Sequence, residues 1–129
     1  MKAGFGSSDI TPRPGVQLAG YGPHRNRAAQ KITAPLHARA LVLAAGWRRH
    51  VLVNLELCGT DRATAARLRA AVAQRAGCRP DDVFLTVTHT HSGPATGGML
   101  GWGEPDALYA ETLPARVAEA AARAVAALT

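Results

Sequence analysis

Between Val51 and Thr88 the chain changes its hydrophobic period twice, and this double change restricts the fold more than any other feature. Val51 to Leu57 is an apolar run interrupted only by Asn54 and Glu56. From Asp61 the apolar residues Ala65, Leu68, Val72 and Ala76 recur at helical spacing, Thr60 or Asp61 can cap the start, and Gly77 can end the helix. Pro80-Asp81-Asp82 then turns the chain into a second apolar run, Val83 to Thr88. A strand, a helix of about 15 residues and another strand make a crossover unit, so the two strands are expected to be parallel and the connection right-handed. Ligands in open α/β sheets collect beyond the carboxyl ends of such strands.

The remaining segments fit around that unit. Leu36 to Ala45 and Val51 to Leu57 read as strands joined by the turn Gly46-Trp47-Arg48-Arg49-His50, a β-hairpin. Lys2 to Ile10 is a short extended segment, closed by Thr11-Pro12-Arg13-Pro14-Gly15, whose prolines forbid a helix. Residues 16–34, with Gly20-Tyr21-Gly22-Pro23, read as a loop long enough to be functional or short of a packing partner. From about Pro105 to Leu128, the stripe Tyr109, Leu113, Val117, Ala120, Ala124, Leu128 stays in phase across Pro114, which predicts one kinked helix. The expected fold class is therefore α/β: a mixed sheet with a β-hairpin followed by a right-handed βαβ crossover and a C-terminal helix.

Composition narrows the function classes. With 129 residues, 47% of them hydrophobic, the chain is one globular domain at most. No stretch approaches the ~18 apolar residues of a membrane span, and the start lacks the apolar core of a signal peptide, so a cytoplasmic location is the default expectation. The formal charge of +6 comes mostly from scattered arginines and aromatic residues make up only 5%, a pattern that argues against a nucleic-acid partner. If the segment between Cys58 and Cys78 is a helix of about 16 residues, its ends lie about 24 Å apart, beyond the ~7 Å Cα limit of a disulfide. Both are expected to be free thiols.

Chemistry concentrates in Thr88-His89-Thr90-His91-Ser92-Gly93-Pro94, at the end of the last apolar run and the start of a glycine-rich loop. On an extended backbone, side chains at i and i+2 share a face with Cα atoms about 6–7 Å apart, so both imidazoles can address one ion or substrate atom. Zinc normally takes three or four protein ligands, and two histidines alone do not make such a site.

Several segments together resemble the N-terminal part of the neutral/alkaline non-lysosomal ceramidase family. They are Gly4-Phe5-Gly6-Ser7-Ser8-Asp9-Ile10-Thr11-Pro12, Leu18-Ala19-Gly20-Tyr21-Gly22, Ala38-Arg39-Ala40-Leu41-Val42-Leu43, Val51-Leu52-Val53-Asn54 and the Thr88–Pro94 motif, in that order. The resemblance implies that residues 1–129 are the N-terminal portion of a ceramidase-like catalytic domain, a partial domain. It further implies a zinc-dependent amidase that cleaves the N-acyl bond of ceramide or a related lipid amide. By the same resemblance His89 binds Zn2+ and His91 lies beside the metal and takes part in catalysis. The family's other zinc ligands and its nucleophile lie downstream of the motif and have no counterpart in these 129 residues. The site is thus expected to be partial, inactive alone, and to bind zinc at micromolar affinity or weaker, with His89→Ala abolishing that binding. His24, His37 and His50 are not read as substitutes.

Alternatives remain beside these roles. His89 can instead be a structural histidine capping a strand, and His91 can hydrogen-bond the loop backbone. Ser92 is read as a loop-capping hydroxyl rather than a nucleophile. Gly93-Pro94 and Gly97-Gly98 either shape a turn for a ligand or supply loop flexibility. Glu56 either orients a site histidine or, the favoured reading, forms a salt bridge to Arg39 or Arg49. Tyr21 is read as a turn aromatic packed on the core. The competing function class is a non-enzymatic α/β interaction module, or one half of a split metallohydrolase, that binds a complementary chain or a second copy through open sheet edges.

Overall fold

The computed structural model describes residues 1–22, 27–97 and 101–129. Its four strands, β1 (Lys2–Asp9), β2 (His37–Ala45), β3 (Arg48–Leu55) and β4 (Val83–Val87), line up in sequence order. β1–β2 and β2–β3 are antiparallel, whereas β3–β4 is parallel and bridged by helix α1 (Arg62–Ala76). Helix α2 (Ala107–Ala126) closes the chain. The result is the mixed α/β sheet with hairpin, crossover and final helix that the sequence predicts.

Period-two alternation gives the sheet one buried face. Ala38, Ala40 and Val42 of β2 and Val51, Val53 and Leu55 of β3 are fully buried, with Val83 beside them. α1 covers β3 and β4, α2 covers β1 and β2, and the two helices pack on each other through a single core that includes Leu68, Val72, Leu113 and Val117. α2 lies very close to β1, where a Cβ at Gly6 would stand 2.2 Å from the Ala120 carbonyl oxygen, so only glycine permits the approach. The other sheet face is bare of helices. On it Phe5, Leu41, Leu52 and Phe84 pair in register across all four strands and remain 58%, 37%, 43% and 57% exposed.

Local chemistry sets the helix boundaries. Asp61 caps α1 by accepting from the Thr64 backbone N–H at 2.7 Å, and Gly77, in the left-handed region at φ 65°, ends it. Asp106 caps α2 in the same way through Tyr109. α2 runs as one helix through Pro114. Proline has no N–H for the Ala110 carbonyl, and the Arg67 guanidinium of α1 donates to that oxygen instead, at 3.2 Å.

Two boundaries differ from the sequence reading. The hairpin turn is only Gly46-Trp47, because Arg48, Arg49 and His50 already belong to β3, and their polar side chains fit a strand beginning at the exposed rim. β4 stops at Val87, one residue short of Thr88. The long loop after β1 is also ordered where it is described: Gln17 bridges to Ala28 and Leu18 to Pro94. Hydrogen bonds from Leu18 to Arg27, Ala19 to Gly93 and Ala95 to Gln17 complete a small ribbon that ties this loop to the segment after β4.

Candidate metal centre

Because β3 and β4 are parallel, their carboxyl ends share one edge of the sheet. Cys58 lies three residues past the end of β3 and His89 two past the end of β4, so chain order alone brings them face to face. The Thr88 backbone N–H continues the ladder to the Leu55 carbonyl at 3.0 Å, and there the backbone turns. His89 sits at φ 61°, the one described non-glycine residue in the left-handed region, a conformation that costs of order 1–3 kcal/mol and must be held by its surroundings. The two imidazoles therefore do not share a face of an extended strand, as the i, i+2 spacing suggests. The curled loop brings them together, with ring centroids 4.9 Å apart in an edge-to-face arrangement.

What holds His89 is Cys58. His89 Nδ1 lies 2.6 Å from the Cys58 carbonyl oxygen, so the ring donates Nδ1–H and leaves the Nε2 lone pair free. Metal-bound imidazoles are commonly oriented through such a bond from the second nitrogen. The Cys58 sulfur stands 3.7 Å from the same Nδ1 and is buried, and burial pushes its thiol pKa up. His89 is exposed and His91 half-buried. One ligand atom from each of Cys58, His89 and His91 lies within 4.8 Å of the other two, so this cluster can hold a metal ion.

His91 is positioned by the ribbon. Arg27 donates to its backbone carbonyl at 2.9 Å and also lies 3.7 Å over the Tyr21 ring. Tyr21 and Trp102 meet the imidazole edge-on at centroid distances of 5.6 and 5.9 Å. Gly20, at φ 99°, presses its backbone against the ring: a Cβ there would stand 2.4 Å from His91 Cγ. Among the described residues no side-chain hydrogen bond occupies the His91 ring, so its nitrogens are available. Tyr21 thus borders the site and is 45% exposed, instead of packing on the core.

Other sequence-level candidates fall elsewhere. Glu56 does not reach the histidines of the motif; it pairs with Arg39 and accepts from the His37 backbone at 2.7 Å, the favoured salt-bridge reading. Burial would raise its pKa, yet the hydrogen bonds from Arg39 and His37 outweigh that and hold the carboxyl below its usual range. The loop-capping hydroxyl belongs to Thr90, which accepts from the Ser92 backbone N–H, and not to Ser92. Gly93 and Pro94 dock the ribbon through Ala19 and Leu18. His37 and His50 lie on the sheet beside Glu56 and Asp82, away from the centre. His24 and Gly98 lie outside the described residues.

Cysteine 58 is the member that sequence reasoning missed. It was weighed only as half of a disulfide, and it is indeed a free thiol, as is Cys78. The available signal was its offset past the parallel neighbour of the strand that carries the motif. Next to the cluster, a cleft of about 10 Å³ lined by Ala19, Cys58, Thr96 and Trp102 has room for about one water. A larger cavity, of about 350 Å³, lies at the opposite end of the sheet between the hairpin turn and the end of α1, remote from this chemistry.

No family model matches the chain. It is 32% identical over 101 residues to neutral ceramidase 3 of Arabidopsis thaliana, which covers 75% of this chain and 13% of that protein. The crystal structure of neutral ceramidase from Pseudomonas aeruginosa superposes with a TM-score of 0.81 at 28% identity, covering 99% of this chain and 22% of that one. A ceramidase complexed with C2 gives the same TM-score and identity, over 99% of this chain and 21% of its own. The chain therefore spans about a fifth of the solved relatives and corresponds to a partial domain.

Proposed function

Because the chain belongs to the neutral ceramidase family and spans a minor part of its relatives, we propose that residues 1–129 are the N-terminal portion of a ceramidase-like catalytic domain. In this reading the portion carries part of a zinc centre for hydrolysing the N-acyl amide of ceramide or a related lipid amide. The observation that supports it best is the pair of imidazoles at the carboxyl edge of β3 and β4, with His89 Nδ1 held by the Cys58 carbonyl and Nε2 left as a donor. His89 is the metal ligand of this proposal. His91, half-buried with free ring nitrogens, moves a proton at the substrate beside the metal. Bound zinc supplies Lewis acidity, which polarises an amide carbonyl or lowers the pKa of a water toward ~7.

The residues described here do not make a substrate pocket at the site. Small-molecule pockets measure roughly 300–1,000 Å³, whereas the adjoining cleft has room for about one water. The walls that would take an acyl chain, and the remaining ligands of the family's centre, come in this reading from another part of such a domain. The 129 residues alone are then expected to turn over no amide.

The second reading, an interaction module or one half of a split metallohydrolase, draws on the bare sheet face. An in-register apolar row across four strands is costly to leave in water, and sheets with a parallel pair are usually covered on both sides. A complementary polypeptide carrying the rest of the domain would cover it. Both readings are tested by a chimera in which this chain replaces the corresponding segment of the Pseudomonas aeruginosa neutral ceramidase. Zinc-dependent ceramide hydrolysis that is lost with His89→Ala is the expected result. A folded chimera that hydrolyses ceramide equally well with His89→Ala would remove His89 from the reaction.

A further inference from the structure

We propose that Cys58 is itself a metal ligand, so that the centre is a Cys–His–His site whose three protein donors all come from this one chain. The proposal rests on the metal-centre reading above and names the donor set. Geometry is its basis. The Cys58 sulfur is 3.7 Å from the His89 ring, and the three candidate donor atoms lie within 4.8 Å of one another. Zinc–sulfur bonds of ~2.3 Å and zinc–nitrogen bonds of ~2.0–2.1 Å place tetrahedral sulfur and nitrogen donors about 3.5 Å apart. The cluster reaches that spacing by a closure of about 1 Å, within the range of small side-chain rotations. Three protein donors with an open fourth position is also the number that catalytic zinc uses.

Cys58 then acts twice. Its carbonyl holds Nδ1–H of His89, which fixes the tautomer and aims Nε2, while its sulfur approaches from the same residue. The sulfur sits in an apolar shell with Ala19, Ala95 and Trp102. In such surroundings a thiol gains little by ionising until a cation arrives, and a coordinating metal deprotonates it outright. On binding, the S–H bond breaks, its electron pair forms the metal–sulfur bond, and one proton passes to solvent. His89 and His91 bind as neutral imidazoles and release none. A sulfur and two imidazoles select borderline and soft ions such as Zn2+ and Co2+ over Mg2+ and Ca2+. Affinity is accordingly tighter than the micromolar value expected from histidine alone.

Cobalt titration of the 129-residue chain tests this, with readouts in the near-ultraviolet thiolate-to-cobalt charge-transfer band and in protons released per metal. The wild type and Cys78→Ser are expected to show the band and one proton. Cys58→Ser and Cys58→Ala are expected to lose both and to bind at least about tenfold more weakly, the minimum typical even for residues that only orient a ligand. Two substitutions of different polarity, each checked by circular dichroism, separate loss of the donor from loss of the fold. Cobalt bound in a manner abolished by His89→Ala but without a thiolate band, or with a band that follows Cys78, overturns the role of Cys58 and leaves the His89 reading standing. A folded wild type that binds no cobalt overturns both.

Discussion

Replacing Gly20 with alanine would show whether the ribbon fixes the second imidazole. A Cβ at that position falls 2.4 Å from His91 Cγ, 2.6 Å from Cδ2 and 2.8 Å from Nδ1, so the new methyl lies against the ring itself. Carbon atoms rest at about 3.5 Å, and the imidazole must therefore retreat by about 1 Å. Functional constellations tolerate about 0.5 Å, so the displacement is large enough to misplace the ring. The expected consequence is a fall in zinc affinity of roughly 10- to 100-fold, the range seen when a ligand loses its orienting partner. Backbone strain contributes separately. Gly20 lies at φ 99°, which costs alanine about 1–3 kcal/mol of folding stability. Gly15→Ala is the matched control, because Gly15 has φ 93° and nothing within 4 Å of its would-be Cβ. Zinc competition against a chromophoric chelator and urea unfolding of both variants provide the two readouts. Both variants should lose comparable backbone stability, and only Gly20→Ala should lose affinity. Unchanged zinc affinity in Gly20→Ala, or an equal loss in Gly15→Ala, would refute the reasoning.

Two further predictions concern the scaffold. Pro114→Ala restores a backbone donor to the Ala110 carbonyl and should raise urea stability by about 1–3 kcal/mol while making Arg67 dispensable; a neutral result would mean that the Arg67 bond already compensates in full. Asp61 and Asp106 each have a lowered pKa, through the backbone hydrogen bonds from Thr64 and Tyr109 respectively, with Arg13 adding to the effect at Asp106. A depressed folded pKa gives stability that is present above the unfolded value of about 3.9 and is lost as pH falls through the folded value. Thermal melts from pH 6 down to 2 should therefore show acid destabilisation that is reduced in the Asp61→Asn, Asp106→Asn double variant; an unchanged slope would exclude the caps as its source.

The parts of this molecule legible in its sequence are those written in hydrophobic period. The change from strand to helix to strand between Val51 and Val87 fixed the parallel pair, and the parallel pair fixed the edge at which the histidines appear. The beginning of β3 was hidden because Arg48, Arg49 and His50 are polar residues at an exposed rim, where no apolar alternation marks a strand. The ribbon of residues 15–19, 27–29 and 93–95 rests on backbone hydrogen bonds between distant segments, which leave no pattern in side-chain chemistry. The left-handed turn at His89 was equally unreadable, since nothing in Thr-His-Thr-His announces a positive φ. Cys58 differs from these. Its distance past β3 was countable, and the edge rule applied to histidine applies equally to a thiol.

The account depends most on His89 holding a metal at the carboxyl edge of the parallel pair. Calorimetric titration of zinc into the purified chain and into a folded His89→Ala variant measures this directly. The account predicts one equivalent of zinc bound by the wild type and none by the variant. Equal binding by both proteins, or no binding by the wild type, would contradict it.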